Sequence, residues 1–143
     1  MNKIWVVAAD ASRARFFTAD KPASSLDEIE TLSNPEARLR EGDLVSDRGG
    51  RGVNGGGAYT YSSGNEAKQE AANRFAAEVC RHLEKGRNSR AFGKLYVMAA
   101  PQFLGLLRKH QSNALRGLIG DEIATDLTTQ SAERIRAQLP QYL

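Results

Sequence analysis

Two apolar runs, Ile4-Trp5-Val6-Val7-Ala8-Ala9 and Leu95-Tyr96-Val97-Met98-Ala99-Ala100, constrain the fold more than any other feature of this chain. A strand with one face in water alternates apolar and polar residues. A run without that alternation has to be covered on both faces, which for a short strand means helices above and below a sheet. The rest of the chain supplies matching elements. Asp10-Ala11-Ser12 is turn chemistry between the first run and Ala14-Arg15-Phe16-Phe17-Thr18, so the chain opens with a hairpin. Leu26 to Leu32 reads as a third, edge-like strand that Asn34-Pro35 breaks.

Helices follow. Ser63 with Glu66 makes a capping box and Gly86 a C-terminal stop, predicting a helix over about 66–85. At about 100° per residue, Ala72, Phe75, Ala76, Val79 and Leu83 share one stripe, while Arg74, Arg81 and Lys85 gather opposite, with Glu70 and Glu78 spaced to pair with Arg74. Pro101 opens a helix carrying Phe103, Leu104, Leu106 and Leu107. Ser112 to Arg116 is a short extra turn, Leu118 to Thr125 a weak strand interrupted by Gly120, and Ser131 caps a last helix ending at Leu139-Pro140. The expected architecture is one α/β domain over residues 1–143, a five-stranded mixed sheet with flanking helices. Three early strands form a meander, and the two later ones run parallel to the first.

Between these elements lies a segment that no core requires. Residues 46–65 hold seven of the thirteen glycines, with Arg48 and Arg51 among them and Tyr59 and Tyr61 beyond. Glycine adds no apolar area and loses the most backbone entropy on ordering, so such a run is either a mobile surface loop or a backbone that approaches another molecule closely. Bare amides, guanidinium groups and aromatic faces suit an RNA. The candidate contact residues are Arg48, Gly49, Gly50, Arg51, Tyr59 and Tyr61 in a mobile loop at about 47–65, with Arg74, Arg81 and Lys85 on the helix behind it. The net charge is +3, and residues 66–116 hold ten Lys/Arg against four Asp/Glu, whereas residues 1–36 hold four against six. That asymmetry gives a modest preference for polyanions.

Other chemistries fit less well. Gly50-Arg51-Gly52-Val53-Asn54-Gly55 spells the dinucleotide pattern but does not join a strand directly to a helix, and no Lys-Ser/Thr closes a phosphate loop. Asp10, at the end of the first strand, is the one candidate for a nuclease-type metal ligand. The fourth strand ends in Ala99-Ala100 rather than an acid and Glu70 lies near the polar side of its helix, which leaves only Asp121 and Glu122 as partners, and the Asp-Ala-Ser context favours a turn role. Cys80-Arg81-His82 is not a zinc motif; His82 lies within reach of Glu78, and His110 near a helix end. No Gly-x-Ser-x-Gly elbow is present. The expectation is therefore a non-enzymatic protein with no cofactor and no metal. A lone Cys80 forms no internal disulfide, and no apolar run has the length of a signal peptide or membrane span, which points to a cytoplasmic protein without membrane insertion.

The stretch from Trp5 through Asp10 to Phe16, then Asn34-Pro35-Glu36-Ala37-Arg38, Ser46-Asp47-Arg48-Gly49-Gly50-Arg51 and Phe75-Ala76, closely resembles the bacterial host attachment family, proteins required for attachment to host cells. More distantly the chain is similar to the middle domain of archaeal and eukaryotic peptide-chain release factors, with a Gly-rich loop ahead of a long helix bearing an Arg-Phe pair, here Arg74-Phe75. The resemblance implies ribonuclease-H-like topology. Release factors act through a Gly-Gly-Gln tip; here Gly49-Gly50 is followed by Arg51, and Gly55-Gly56-Gly57 by Ala58. The loop is kept without its hydrolytic glutamine. Together these readings favour an accessory factor contacting RNA or the ribosome. The alternatives are a protein partner, an adhesion-related role in attachment, and a metal-dependent phosphodiesterase built on Asp10. Self-association is not legible in the residues.

Overall fold

The structure, a computed structural model, describes residues 3–36, 57–141 and 143. In chain order the elements are β1 (Ile4–Ala9), β2 (Arg13–Ala19), β3 (Asp27–Ser33), α1 (Gly57–Asn88), β4 (Lys94–Ala99), α2 (Pro101–His110), α3 (Asn113–Arg116), β5 (Ile119–Ile123) and α4 (Ala132–Ala137). The sheet runs in the order β3-β2-β1-β4-β5, with β1–β2 and β2–β3 antiparallel and β1–β4 and β4–β5 parallel. This is the meander followed by two helix-fed parallel strands that the apolar runs imply. β5 continues through Gly120, which stands against the side chains of Lys94 and Tyr96.

All six residues of β1 are buried because the sheet is covered on both sides. Trp5, Val7 and Ala9 face a core shared with Phe75, Ala76, Val79, Cys80 and Leu83 of α1 and with Phe103, Leu104 and Leu107 of α2. Ile4, Val6 and Ala8 face a second core closed by Ile135 of α4 and by Leu26, Leu127, Leu139 and Leu143. Each fully buried aliphatic or aromatic side chain in these layers contributes about 1.5–3 kcal/mol relative to exposure.

The long helix differs from its expected bounds at both ends. It starts at Gly57, so Ser63 lies inside it rather than at its cap, and it runs past Gly86 to Asn88. A helix already nucleated extends at small cost, with a glycine costing only about 1 kcal/mol, so a residue that looks like a breaker need not end it. Gly86 has a different task. A Cβ there would lie 2.9 Å from ring atoms of both Trp5 and Phe92, so the glycine lets the helix lie directly on these rings.

β3 forms one edge of the sheet. Its register with β2 shifts between Phe16 and Phe17, which face Glu30 and Glu28, leaving Ile29 as the extra residue of a bulge, half exposed. The bulge sends the two flanking carboxylates to opposite faces. Glu28 meets Arg15, with the guanidinium 2.8 Å from its Oε1, while Glu30 meets His82 of α1 at 2.7 Å.

Candidate nucleic-acid interface

The face of α1 opposite its core stripe presents Arg74, Arg81 and Lys85, all exposed. Arg74 is engaged: its guanidinium donates to both oxygens of Glu36, at 3.2 and 2.6 Å, and stands 3.7 Å from Glu70. The Glu36 hydrogen bonds, ahead of the charges of Glu36 and Glu70, raise its already high pKa. Arg81 and Lys85 form no ion pair among the described residues and leave two cations about one helical turn apart on the solvent side. Tyr59 and Tyr61 fall, by backbone, in the first turns of the same helix rather than in a loop ending at residue 65. Arg48, Gly49, Gly50, Arg51 and the rest of the glycine run to Gly56 lie outside the described residues.

Several sequence candidates turn out to have structural work. Asp10 Oδ1 accepts from the backbone N–H groups of Ser12 and Arg13, both at 2.8 Å, and its Oδ2 accepts from the Thr128 hydroxyl at 2.9 Å. Both oxygens are occupied by the turn and by a buried threonine from the segment after β5. Among the described residues no three His, Cys, Asp or Glu side chains converge in a way that could hold a metal ion. Glu122 instead receives the Arg108 guanidinium at 2.8 Å. His82 does not reach for Glu78. It packs between Trp5 and Phe16 and pairs with Glu30, an arrangement that depends on a bulge no local pattern announces. His110 ends α2 and meets Asn73 at 2.9 Å. Cys80 is buried, its thiol donating to the Leu107 carbonyl, and desolvation, aided by the Glu84 charge, pushes its pKa up to about 12. A thiol so held is an inert core group at neutral pH.

Other arginines are structural cations. Arg15 adds to its Glu28 pairing two hydrogen bonds to the carbonyls of Thr128 and Gln130, at 3.0 and 2.6 Å. Arg136 binds the carbonyls of Pro22, Ser24, Pro140 and Gln141, tying α4 to the β2–β3 connection and to the C-terminal segment. Both lie outside residues 66–116, so they take nothing from the basic excess of that segment.

A further feature was not legible in the sequence. Between the end of α2 and the outer strand β5 lies an open groove of about 590 Å³, lined by Arg108, Gln111, Arg116, Ile119, Asp121 and Glu122. Arg116 donates to the Arg108 carbonyl at 2.7 Å, and Asp121 Oδ1 accepts from the Glu122 N–H. Both polar atoms of the Gln111 carboxamide are shut off from solvent and have no hydrogen-bond partner among the described residues. An unmatched buried polar group costs about 1–3 kcal/mol, so this side chain stands out in a fold whose other polar groups are mostly paired. A single glutamine after a helix carries no sequence signal for such a role.

With fold and surface in place, comparison with known proteins decides the family. A family profile described as "Protein required for attachment to host cells" matches residues 5–139. The chain belongs to this host attachment family. No curated protein matches it. Solved structures to which it is similar include one titled "Archaeal protein", at 12% identity and a TM-score of 0.48 over 96% of this chain. Another is an archaeal translation termination factor, at 12% identity and a TM-score of 0.47 over 96% of this chain. The chain spans about a third of the length of each, 34% and 36%. Membership of the host attachment family rests on the profile match alone. Among the described residues no helix is long and apolar enough to cross a membrane.

Proposed function

We propose that this member of the host attachment family is a non-enzymatic, cytoplasmic accessory factor that contacts RNA, alone or in the ribosome, through its glycine-rich segment and the solvent face of α1. The observation that carries the reading is the pair Arg81 and Lys85, exposed and without an ion pair among the described residues, on the helix that directly follows Arg48 and Arg51 in the chain. Cations with no carboxylate partner are free to replace counterions on a phosphate backbone. The strand order β3-β2-β1-β4-β5, with three antiparallel strands ahead of two parallel ones, supports a ribonuclease-H-like topology. Asp10, with both oxygens already engaged, favours a binding role over phosphodiester cleavage. A second reading, a direct part in attachment, is favoured by the family's description.

The test is a titration of the purified protein with ribosomal RNA or tRNA across a salt series. Binding should weaken steeply with salt, and replacing Arg48, Arg51, Arg81 and Lys85 with Ala should weaken it and flatten the salt slope by up to about 0.9 per lost phosphate contact on a duplex. Absence of binding at low salt, or binding indifferent to these substitutions, overturns the RNA reading and favours a protein partner.

A further inference from the structure

We propose that the RNA track on α1 continues past the end of the helix to Arg90, whose guanidinium takes a backbone phosphate. The proposal rests on the RNA reading above and adds to it a contact on the α1–β4 turn. Arg90 is the only non-glycine residue with a positive φ among the described residues, at 59°. In an L-residue this left-handed conformation crowds Cβ against the following carbonyl, whereas glycine takes it freely. The local hydrogen bonds explain why some residue must adopt it. Arg90 N–H donates to the Arg87 carbonyl at 3.0 Å and Ala91 N–H to the Gly86 carbonyl at 2.8 Å. These are the paired bonds of a Schellman turn, whose left-handed position is usually glycine. They account for the conformation but not for the arginine.

Nor does the Arg90 side chain close the helix. The Lys85 carbonyl already accepts from Ser89 N–H at 3.1 Å, and the Gly86 carbonyl accepts from the Ser89 hydroxyl, also at 3.1 Å. Arg90 is exposed, and its guanidinium forms no hydrogen bond or ion pair among the described residues. An unfavourable backbone conformation kept by a side chain that bonds nothing in its own chain points to a role outside that chain.

The surrounding charge selects the partner. No Asp or Glu occurs between Glu84 and Asp121, a stretch that holds seven Lys/Arg. Arg81 precedes Lys85 by one helical turn, a rise of about 6 Å, and Arg90 follows five residues later. Arg87, which lies between, is held by Glu84 at 3.1 Å and is not part of the track. Arg81, Lys85 and Arg90 therefore follow one another from the solvent face of α1 onto the turn, each without an ion pair among the described residues. Such a row suits successive phosphates of a nucleic-acid backbone, and a guanidinium can engage two oxygens of one phosphate at once.

The experiment titrates the whole protein with tRNA across a salt series, beside Arg90→Gly, Arg90→Lys and an Arg81→Ala, Lys85→Ala double variant, and measures the urea midpoint of each. Arg90→Gly should unfold at an equal or higher midpoint, because glycine suits the left-handed position. It should nonetheless bind tRNA more weakly, with a salt slope shallower by up to about 0.9. Arg90→Lys should keep the slope and lose part of the affinity, since an ammonium offers a point charge in place of the fork. If Arg90→Gly does not fold, Arg90→Asn, which tolerates the same conformation, replaces it. Unchanged binding in Arg90→Gly beside weakened binding in the double variant ends the track at Lys85 and overturns this proposal alone. A lower midpoint in Arg90→Gly makes the arginine a structural cation at the helix end and overturns it too. A parent protein that binds no tRNA at low salt overturns it together with the RNA reading.

Discussion

Gly86 lies so close to Trp5 that a Cβ at the glycine would sit 2.9 Å from Cζ3 and Cη2 of the indole. Phe92 closes the same spot, at 2.9 Å from its Cε1, and its ring stands 4.8 Å from that of Trp5. Two effects therefore oppose each other in Gly86→Ala. Helix propensity favours alanine by about 1 kcal/mol, whereas overpacking against buried rings costs about 1–3 kcal/mol. Neither ring is a flexible side-chain end, so packing wins. The variant should lose stability, by up to roughly 2 kcal/mol net, read as a lower denaturation midpoint at unchanged slope. A midpoint equal to or above that of the parent would show that the rings shift freely.

The Thr128 hydroxyl bridges Asp10 at 2.9 Å and Asp126 at 2.8 Å, which fastens the segment after β5 to the β1–β2 turn. Thr128→Val keeps the shape and removes the donor. It should cost about 1–3 kcal/mol by leaving Asp10 Oδ2 without its partner, while Asp126 Oδ1 keeps the Thr128 N–H at 3.0 Å. Asp10→Ala should be at least as costly, because the turn amides of Ser12 and Arg13 lose their acceptor too. Urea unfolding of both variants checks this; a fully stable Asp10→Ala protein would reopen a chemical role for the carboxylate.

Stability should fall in acid through two carboxylates in particular. Hydrogen bonds from Arg15, then Thr31, hold the Glu28 pKa below its ordinary value, and those from Arg87, then Ser112, do the same for Glu84. A carboxylate whose folded pKa is depressed contributes stability that is present above its unfolded pKa, about 4.3, and is lost as pH falls through the folded value. The melting temperature should thus drop more steeply below about pH 4.3 than in a Glu28→Gln, Glu84→Gln double variant, while the parent is the more stable at pH 7. Parallel pH profiles for the two proteins would contradict this.

Peptide release from programmed ribosomes should be absent. That hydrolysis depends on a positioned group that orients water, and preorganisation of this kind supplies several kcal/mol of barrier reduction. The residues that follow the glycine runs, Arg51 and Ala58, have no amide side chain to offer. Efficient release of a labelled peptide that depended on Gly49, Gly50 or the Gly55 to Gly57 run would make the protein an enzyme.

The sequence by itself determined the layers. Ile4–Ala9 and Leu95–Ala100 lack a polar face and hence had to be central strands, and Pro101 and Ser131 mark helix starts because a missing N–H or a hydroxyl cap suits only that position. The apolar stripe of the long helix was legible for the same reason, since its period of about 3.6 is a local property. Only the tertiary structure decided where that helix ends, because its run through Gly86 is set by the Trp5 and Phe92 rings it lies on. Tertiary structure also paired His82 with Glu30 through a bulge and satisfied Asp10 from Thr128, more than a hundred residues away. The groove around Gln111 formed in the same way, from α2, α3 and β5. Periodicity and caps report a residue's neighbours along the chain, whereas these contacts join atoms that only the folded sheet brings together.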